Sequence, residues 1–341
     1  MGIWDRSIMR GRRILPNVAE PVTSFGNAFK LDWKIAALFG SSNLYLQQTD
    51  AWGLIALSMS TGIFGIDPAT GAPLKTYLSG TNYVAEVAED PDGNVYFVAY
   101  YGEAKKFDAT GTLLLDKKPG NVGRFSNGAV WADGFWVSTY AVEAFGAVSS
   151  TLNFLWSQGG VYAVQYQNGV ICVSDGQTIR GLDLNGAEIW SRTSSGLTTS
   201  NIYRILGSYD GVFYAVVNDG NAGVGWSIAA IDAAGNDIWK SDEVCSFVPS
   251  TQSRASENCS SIAVDKFGDV YALLGRRPYD LVKFSKDGEF MGSATLSGVI
   301  PLDQTLNGTV NATNVEVDAD GGVYIGFQNG DVIKLIQTNP H

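Results

Sequence analysis

An all-β fold of repeated four-stranded units is what this sequence predicts, on three observations. First, a turn running straight into a strand recurs: Asp90-Pro-Asp-Gly93-Asn-Val-Tyr96, Asp210-Gly211-Val-Phe-Tyr214, Asp265-Lys-Phe-Gly268-Asp-Val-Tyr271 and Asp318-Ala-Asp-Gly321-Gly-Val-Tyr324. Weaker copies stand at Asp133-Gly134-Phe-Trp136 and Asn168-Gly169-Val-Ile171. Second, another turn follows at hairpin spacing: Ile66-Asp67-Pro-Ala-Thr-Gly71, Phe107-Asp108-Ala-Thr-Gly111, Leu182-Asp183-Leu-Asn-Gly186, Ile231-Asp232-Ala-Ala-Gly235 and Phe284-Ser285-Lys-Asp-Gly288. Third, no segment carries an i, i+3, i+4 apolar stripe of helical length. Two turns per unit, repeating at roughly 35–55 residues, describe the blade of a β-propeller, and 341 residues hold about seven such blades.

The residue chemistry fits each part. Asp-Gly and Asn-Gly pairs supply the positive φ of tight hairpins, and Asp accepts N–H groups downstream of itself. The runs after the turns (Val95–Val98, Val212–Val217, Val270–Leu273, Val323–Phe327) are β-branched and aromatic, as strands are. Units fall near residues 41–79, 83–118, 127–158, 160–193, 201–243, 260–296 and 312–339. The last unit supplies only three strands, Ala312–Val317, Val323–Phe327 and Val332–Ile336, which would leave an open edge. The fourth is expected from residues 28–35, where Phe29, Leu31, Trp33 and Ile35 alternate with charged residues as the apolar face of a strand. That strand is expected to pair with the final blade and close the ring.

Upstream lies an arm, residues 1–26, distinct from the propeller of residues 27–341. Trp4, Ile8, Ile14, Leu15 and Val18 interleave there with Arg6, Arg10, Arg12 and Arg13, and Pro16 and Pro21 break regular structure. Residues 1–30 carry a net +3 in a chain of −11, so the body is strongly acidic. Such a body disfavours duplex nucleic acid, whose phosphates need Lys and Arg. Trp4, Arg6, Arg10, Arg12 and Arg13 of this basic–apolar arm are expected to lie against its own ring or a neighbouring subunit, and Arg276 and Arg277 form a second basic spot at a hairpin tip where a partner contact is weighed against a solvated turn. The N-terminus lacks the apolar core of a signal peptide, and Ala144–Ser174 is too polar and too strand-like for a membrane helix.

Catalytic constellations are scarce. The sole histidine is His341, so neither a histidine-based triad nor a histidine zinc site can be assembled. Cys172, Cys245 and Cys259 contain no CxxC; Cys245 and Cys259 flank one polar loop and are left either paired or free. The Gly-rich stretch Asp219–Gly225 lacks the Lys-Ser/Thr of a phosphate loop. Glu86, Glu89, Glu143 and Glu316 are the acids that turns do not explain. Asp90, Asp92 and Asn94 place oxygens at alternate positions as calcium loops begin, and they are the candidate calcium ligands should a metal bind; no other cofactor is expected.

The Asp-x-x-Gly-x-x-x-Trp and Asp-x-x-Gly-x-Val-Tyr units resemble the repeats of quinoprotein-type and NHL-like β-propellers. The adjacent Cys pair of quinone-dependent dehydrogenases is missing, so no quinone is expected. A looser resemblance, in low charge, Gly/Asn/Ser content and the basic arm, is to propeller proteins of tailed-bacteriophage tails (nozzles, hubs and baseplate parts). That resemblance implies a non-enzymatic virion component, made in the host cytoplasm, that docks neighbouring subunits. The alternative is an enzyme or small-ligand binder using carboxylates, and perhaps calcium, at the central funnel.

Overall fold

The recurrent turns share one geometry, which explains their spelling. In the computed structural model, which describes residues 29–36, 44–58, 62–79, 84–90, 92–99, 104–117, 125–131, 134–139, 144–149, 154–159, 163–174, 178–193, 204–218, 226–241, 261–273, 280–296 and 312–337, Asp90 is representative. Its carbonyl accepts the N–H of Gly93 and its own N–H donates to the carbonyl of Asn94, both at 2.9 Å. Its Oδ1 accepts the N–H groups of Asp92 and Asn94 at 3.0 and 2.8 Å. The same pair of side-chain bonds recurs at Asp108, Asp183, Asp232, Asp265 and Asp318. Gly93 has φ +76° and Gly235 φ +86°, a region that costs an L side chain about 1–2 kcal/mol. Asp-Gly at positions 210–211 and Asn-Gly at 168–169 are different: both residues of each pair have positive φ, 46° and 81° and then 49° and 81°. These are two-residue hairpins of the type I′ kind, so the sequence's grouping of Asp210 with the longer turns is corrected.

The hairpins stack into seven four-stranded antiparallel sheets among the described residues, the blades of a β-propeller. Six are consecutive meanders, spanning residues 44–79, 84–117, 125–159, 163–193, 204–240 and 261–295. The seventh takes β26 (Ala312–Val317), β27 (Val323–Phe327) and β28 (Val332–Gln337) and is completed by β1 (Phe29–Ile35). The first strands of successive blades, β2 (Leu44–Thr49), β6 (Val84–Glu89), β10 (Phe125–Trp131), β14 (Ala163–Gln167), β18 (Arg204–Tyr209), β22 (Ser261–Val264) and β26, lie each against the next, and β26 returns to β2. The circuit is closed.

Burial grades outward along each blade. Second strands such as β27 and β15 (Val170–Ser174) are buried throughout, because neighbouring blades cover both faces; outer strands such as β5 (Pro73–Ser79) and β9 (Leu113–Lys117) are mostly exposed. The core consequently sits between blades. Tyr271 and Leu281 of the sixth pack with Val315, Phe327 and Ile333 of the seventh, and Tyr324 and Val332 of the seventh with Leu44 and Ile66 of the first.

β1 pairs antiparallel with β28, Phe29 opposite Gln337, Leu31 opposite Leu335, Trp33 opposite Lys334 and Ile35 opposite Val332. A bulge between Leu31 and Trp33 shifts the register, and this corrects the expectation of one apolar face. Phe29 and Leu31 join the core toward the sixth blade, whereas Trp33 packs toward the first. An extra residue in one strand reverses the alternation downstream of it.

Candidate functional site at the turn end of the ring

In an up-and-down blade the first and third hairpin turns open at the same end, so the Asp-Gly turns together form one end of the ring. Aromatic side chains bridge these turns from blade to blade. Trp190, on the outer strand of the fourth blade, donates Nε1–H to the carbonyl of Ala233 in the next blade's turn at 2.9 Å. Trp239 does the same to Lys286 at 2.8 Å, and Trp33 to Pro68 at 3.2 Å. Each indole lies on a turn glycine: a Cβ on Gly235 would stand 2.6 Å from Trp190, one on Gly288 2.6 Å from Trp239, and one on Gly71 2.9 Å from Trp33. Tyr77 occupies the equivalent seat against Gly111 and stacks on Trp52 with ring centroids 3.9 Å apart. The motif's Gly therefore serves the turn and the neighbouring blade at once.

A second device locks the turns from within. The hydroxyl of Tyr96 donates to Asp90 Oδ2 at 3.0 Å, Tyr271 to Asp265 at 3.1 Å and Tyr324 to Asp318 at 2.5 Å. An ammonium lies over each ring: Lys106 5.0 Å from the Tyr96 centroid, Lys283 5.1 Å from that of Tyr271 and Lys334 5.5 Å from that of Tyr324. Burial, reinforced by the adjacent carboxylates, drives all three phenols far above the ordinary tyrosine range. Tyr214 is pushed up to about 12, chiefly by burial. The hydroxyls of Tyr96, Tyr271 and Tyr324 are donors held by the turn aspartates.

Around the channel, side chains stand in for strand pairing. The Asn314 amide takes the N–H of Leu46 at 2.9 Å and donates back to the Leu46 carbonyl at 2.5 Å. Gln47 does likewise toward the N–H and carbonyl of Val87. The Ser208 hydroxyl donates to Gln165 Oε1 at 2.9 Å. Glu89 accepts the N–H groups of Asp50 and Ala51 in the preceding blade, and partial burial holds its carboxyl above the usual range despite those bonds. Sequence reasoning missed these bridges; their only trace is a polar residue at alternate positions of a first strand.

The sequence's candidates fall as follows. Asp90 and Asn94 meet in one turn, but Oδ1 of Asp90 accepts three N–H donors, from Asp92 and Asn94, and Oδ2 accepts Asn94 Nδ2 and the Tyr96 hydroxyl, with Lys106 Nζ at 3.8 Å. A cation bound there would have to displace those donors. No group of three or more His, Cys, Asp or Glu suited to a metal occurs among the described residues. Glu316 accepts from Asn314 at 3.4 Å. Cys172 is fully buried, and that burial raises its thiol well above the ordinary value. Trp4, Arg6, Arg10, Arg12, Arg13, Glu143, Cys245, Cys259, Arg276, Arg277 and His341 lie outside the described residues, as does the whole 219–225 stretch. No described helix is long and apolar enough to cross a membrane.

Outward, the turn end is acidic and studded with apolar groups. Hydrogen bonds from Thr70, Thr110 and Asn236 hold Asp67, Asp108 and Asp232 below the ordinary carboxylate range. Leu74, Leu113, Ile189, Ile238 and Met291 are exposed on outer strands just beyond the turns.

No family model matches this chain, and no curated protein sequence does either. Solved structures are similar in fold. The crystal structure of the WD40 β-propeller domain of Doa1 superposes with a TM-score of 0.65 at 14% identity, covering 90% of this chain and 96% of the other. A streptogramin B lyase gives 0.67 at 12% identity, over 91% and 98% of the two chains. At such identities the likeness is one of fold.

Proposed function

We propose that this chain is a non-enzymatic interaction propeller, a structural subunit of a large assembly and specifically of a tailed-bacteriophage virion, whose ring faces and N-terminal arm dock neighbouring protein subunits. One observation supports the reading: among the described residues, the motif's polar side chains are engaged within the ring itself. The motif aspartates cap their own turns, the tyrosines bond those aspartates, and the channel amides bridge blades. Exposed apolar side chains rim the ring instead, as suits contact with protein. The low charged fraction, 17%, points the same way. Native mass spectrometry of the full chain, alone and with the proteins of the particle it comes from, tests this. Assembly that is lost when residues 1–26 are deleted, with the ring still folded, supports the reading. A truncated chain that assembles normally refutes the arm's role, and a chain that stays monomeric beside every particle protein refutes the subunit reading.

A further inference from the structure

The outer edge of every blade carries the same irregularity. In each of the seven sheets the fourth strand skips one residue against the third, near the turn end. The skipped residue is Leu74 in the first blade, Leu114 in the second, Ile189 in the fourth, Ile238 in the fifth and Met291 in the sixth, each 46–66% exposed. A bulge blunts an edge strand against further pairing, and a polar residue would serve that purpose equally well. In the seventh blade one does: Asp32 occupies the position and pairs with Lys334 at 3.5 Å. On the fourth to sixth blades an exposed acid stands within two residues of the apolar one, Glu188 and Asp237 directly before Ile189 and Ile238, and Glu289 two before Met291. Beside Leu74 the first blade has Lys75 instead.

We infer that this acidic and apolar margin of the fourth to sixth blades receives residues 1–28 of a second copy of the chain; the inference rests on the assembly role proposed above and names the surface the arm docks on. The occupant matches in chemistry. Residues 6–15 hold Arg6, Arg10, Arg12 and Arg13 and no acid, with Ile8, Ile14 and Leu15 among them. It also matches in place. The last strand, β28, ends at the turn end, where Gln337 Nε2 donates to the Gly321 carbonyl at 3.0 Å, and Phe29 pairs with Gln337. The chain upstream of Phe29 therefore departs from the end of the ring on which the margin lies. At that departure the bulge position is the ion-paired Asp32, so the seventh blade offers no apolar seat. Two acidic bodies repel one another, and a basic segment laid between them offsets that repulsion. Extended, 28 residues span up to about 90 Å, enough to cross from one ring to the next. Arm and margin are different surfaces, so the contact is heterologous and can continue from copy to copy.

Complementation between full-length variants tests this by native mass spectrometry and sedimentation. One variant disables the margin, Ile189→Asp/Ile238→Asp, and the other disables the arm, Arg10→Glu/Arg12→Glu/Arg13→Glu, with melting temperatures confirming that both fold. Should the first melt early, Glu188→Lys/Glu289→Lys gives the same readout and leaves every apolar contact in place. Wild type should self-associate, and each variant alone should do so at least about tenfold more weakly. An equimolar mixture should recover a dimer of one copy of each, because the intact arm of one meets the intact margin of the other. Leu74→Asp, on the margin flanked by Lys75, should associate as wild type does. Variants that associate like wild type overturn the inference, and so does a mixture that stays monomeric. A wild type that is monomeric alone yet joins another protein of its particle overturns the inference and leaves the subunit reading standing; one that joins nothing overturns both.

Discussion

If the turn glycines are shared between blades, replacing one should cost more than its backbone conformation alone. Gly235 and Gly169 make the comparison, since both sit at positive φ, 86° and 81°. A Cβ on Gly169 meets nothing within 4 Å, so Gly169→Ala should lose only the left-handed penalty, about 1 kcal/mol. A Cβ on Gly235 would lie 2.6, 2.9 and 3.0 Å from three ring atoms of Trp190. The indole must move, forfeiting its hydrogen bond to Ala233 and part of its packing, about 1–3 kcal/mol further. With an unfolding entropy of roughly 0.7 kcal/mol/K for 341 residues, Gly235→Ala should melt about 3–6 °C below wild type and Gly169→Ala about 1–2 °C below. Calorimetry on the two variants, and on Gly235→Ala combined with Trp190→Ala, gives the coupling. Equal losses at the two glycines, or strict additivity in the double variant, would refute the shared-turn argument.

Asp90→Ala should destabilise by about 2–4 kcal/mol, since the buried Tyr96 hydroxyl and the turn's N–H groups lose their acceptor; a calcium-dependent rise in melting temperature that vanishes in this variant would instead identify Asp90 as a ligand. Gln47→Leu should cost about 2–4 kcal/mol in a denaturant titration, because the N–H and carbonyl of Val87 lose their partner; a neutral result would mean that the amide bridge is not required. Glu89 is raised above its unfolded value, so its contribution is fully present below about pH 4.5 and is lost as pH rises through the folded value. Wild type should therefore gain on Glu89→Gln as pH falls from 7 toward 4.5, and parallel melting curves across that range would contradict the burial assigned to it. Asp67, Asp108 and Asp232 are shifted the other way, so their contribution is present above pH 3.8 and fails as pH falls below it.

Much of this molecule was legible in its sequence because turn chemistry is local. Asp at one position and Gly three later follow from hydrogen bonds that close within five residues, and the Gly-x-Val-Tyr run after them reads as a strand buried on both faces. Closure by Phe29–Ile35 was readable because a three-stranded blade at one end left an alternating strand at the other to account for. The bulge at Asp32 was not, since an inserted residue leaves the alternation of letters intact while reversing its faces. Nor were the partners of Trp190, Trp239 and Gln47, which lie some 40 residues away in sequence and become neighbours only when one blade is set beside the next. Local hydrogen bonding made the hairpins and apolar alternation made the strands. The packing of blade on blade, a contact between surfaces that no short stretch of chain contains, decided that the aspartates and tyrosines would hold the ring together and that the outer strands would remain exposed.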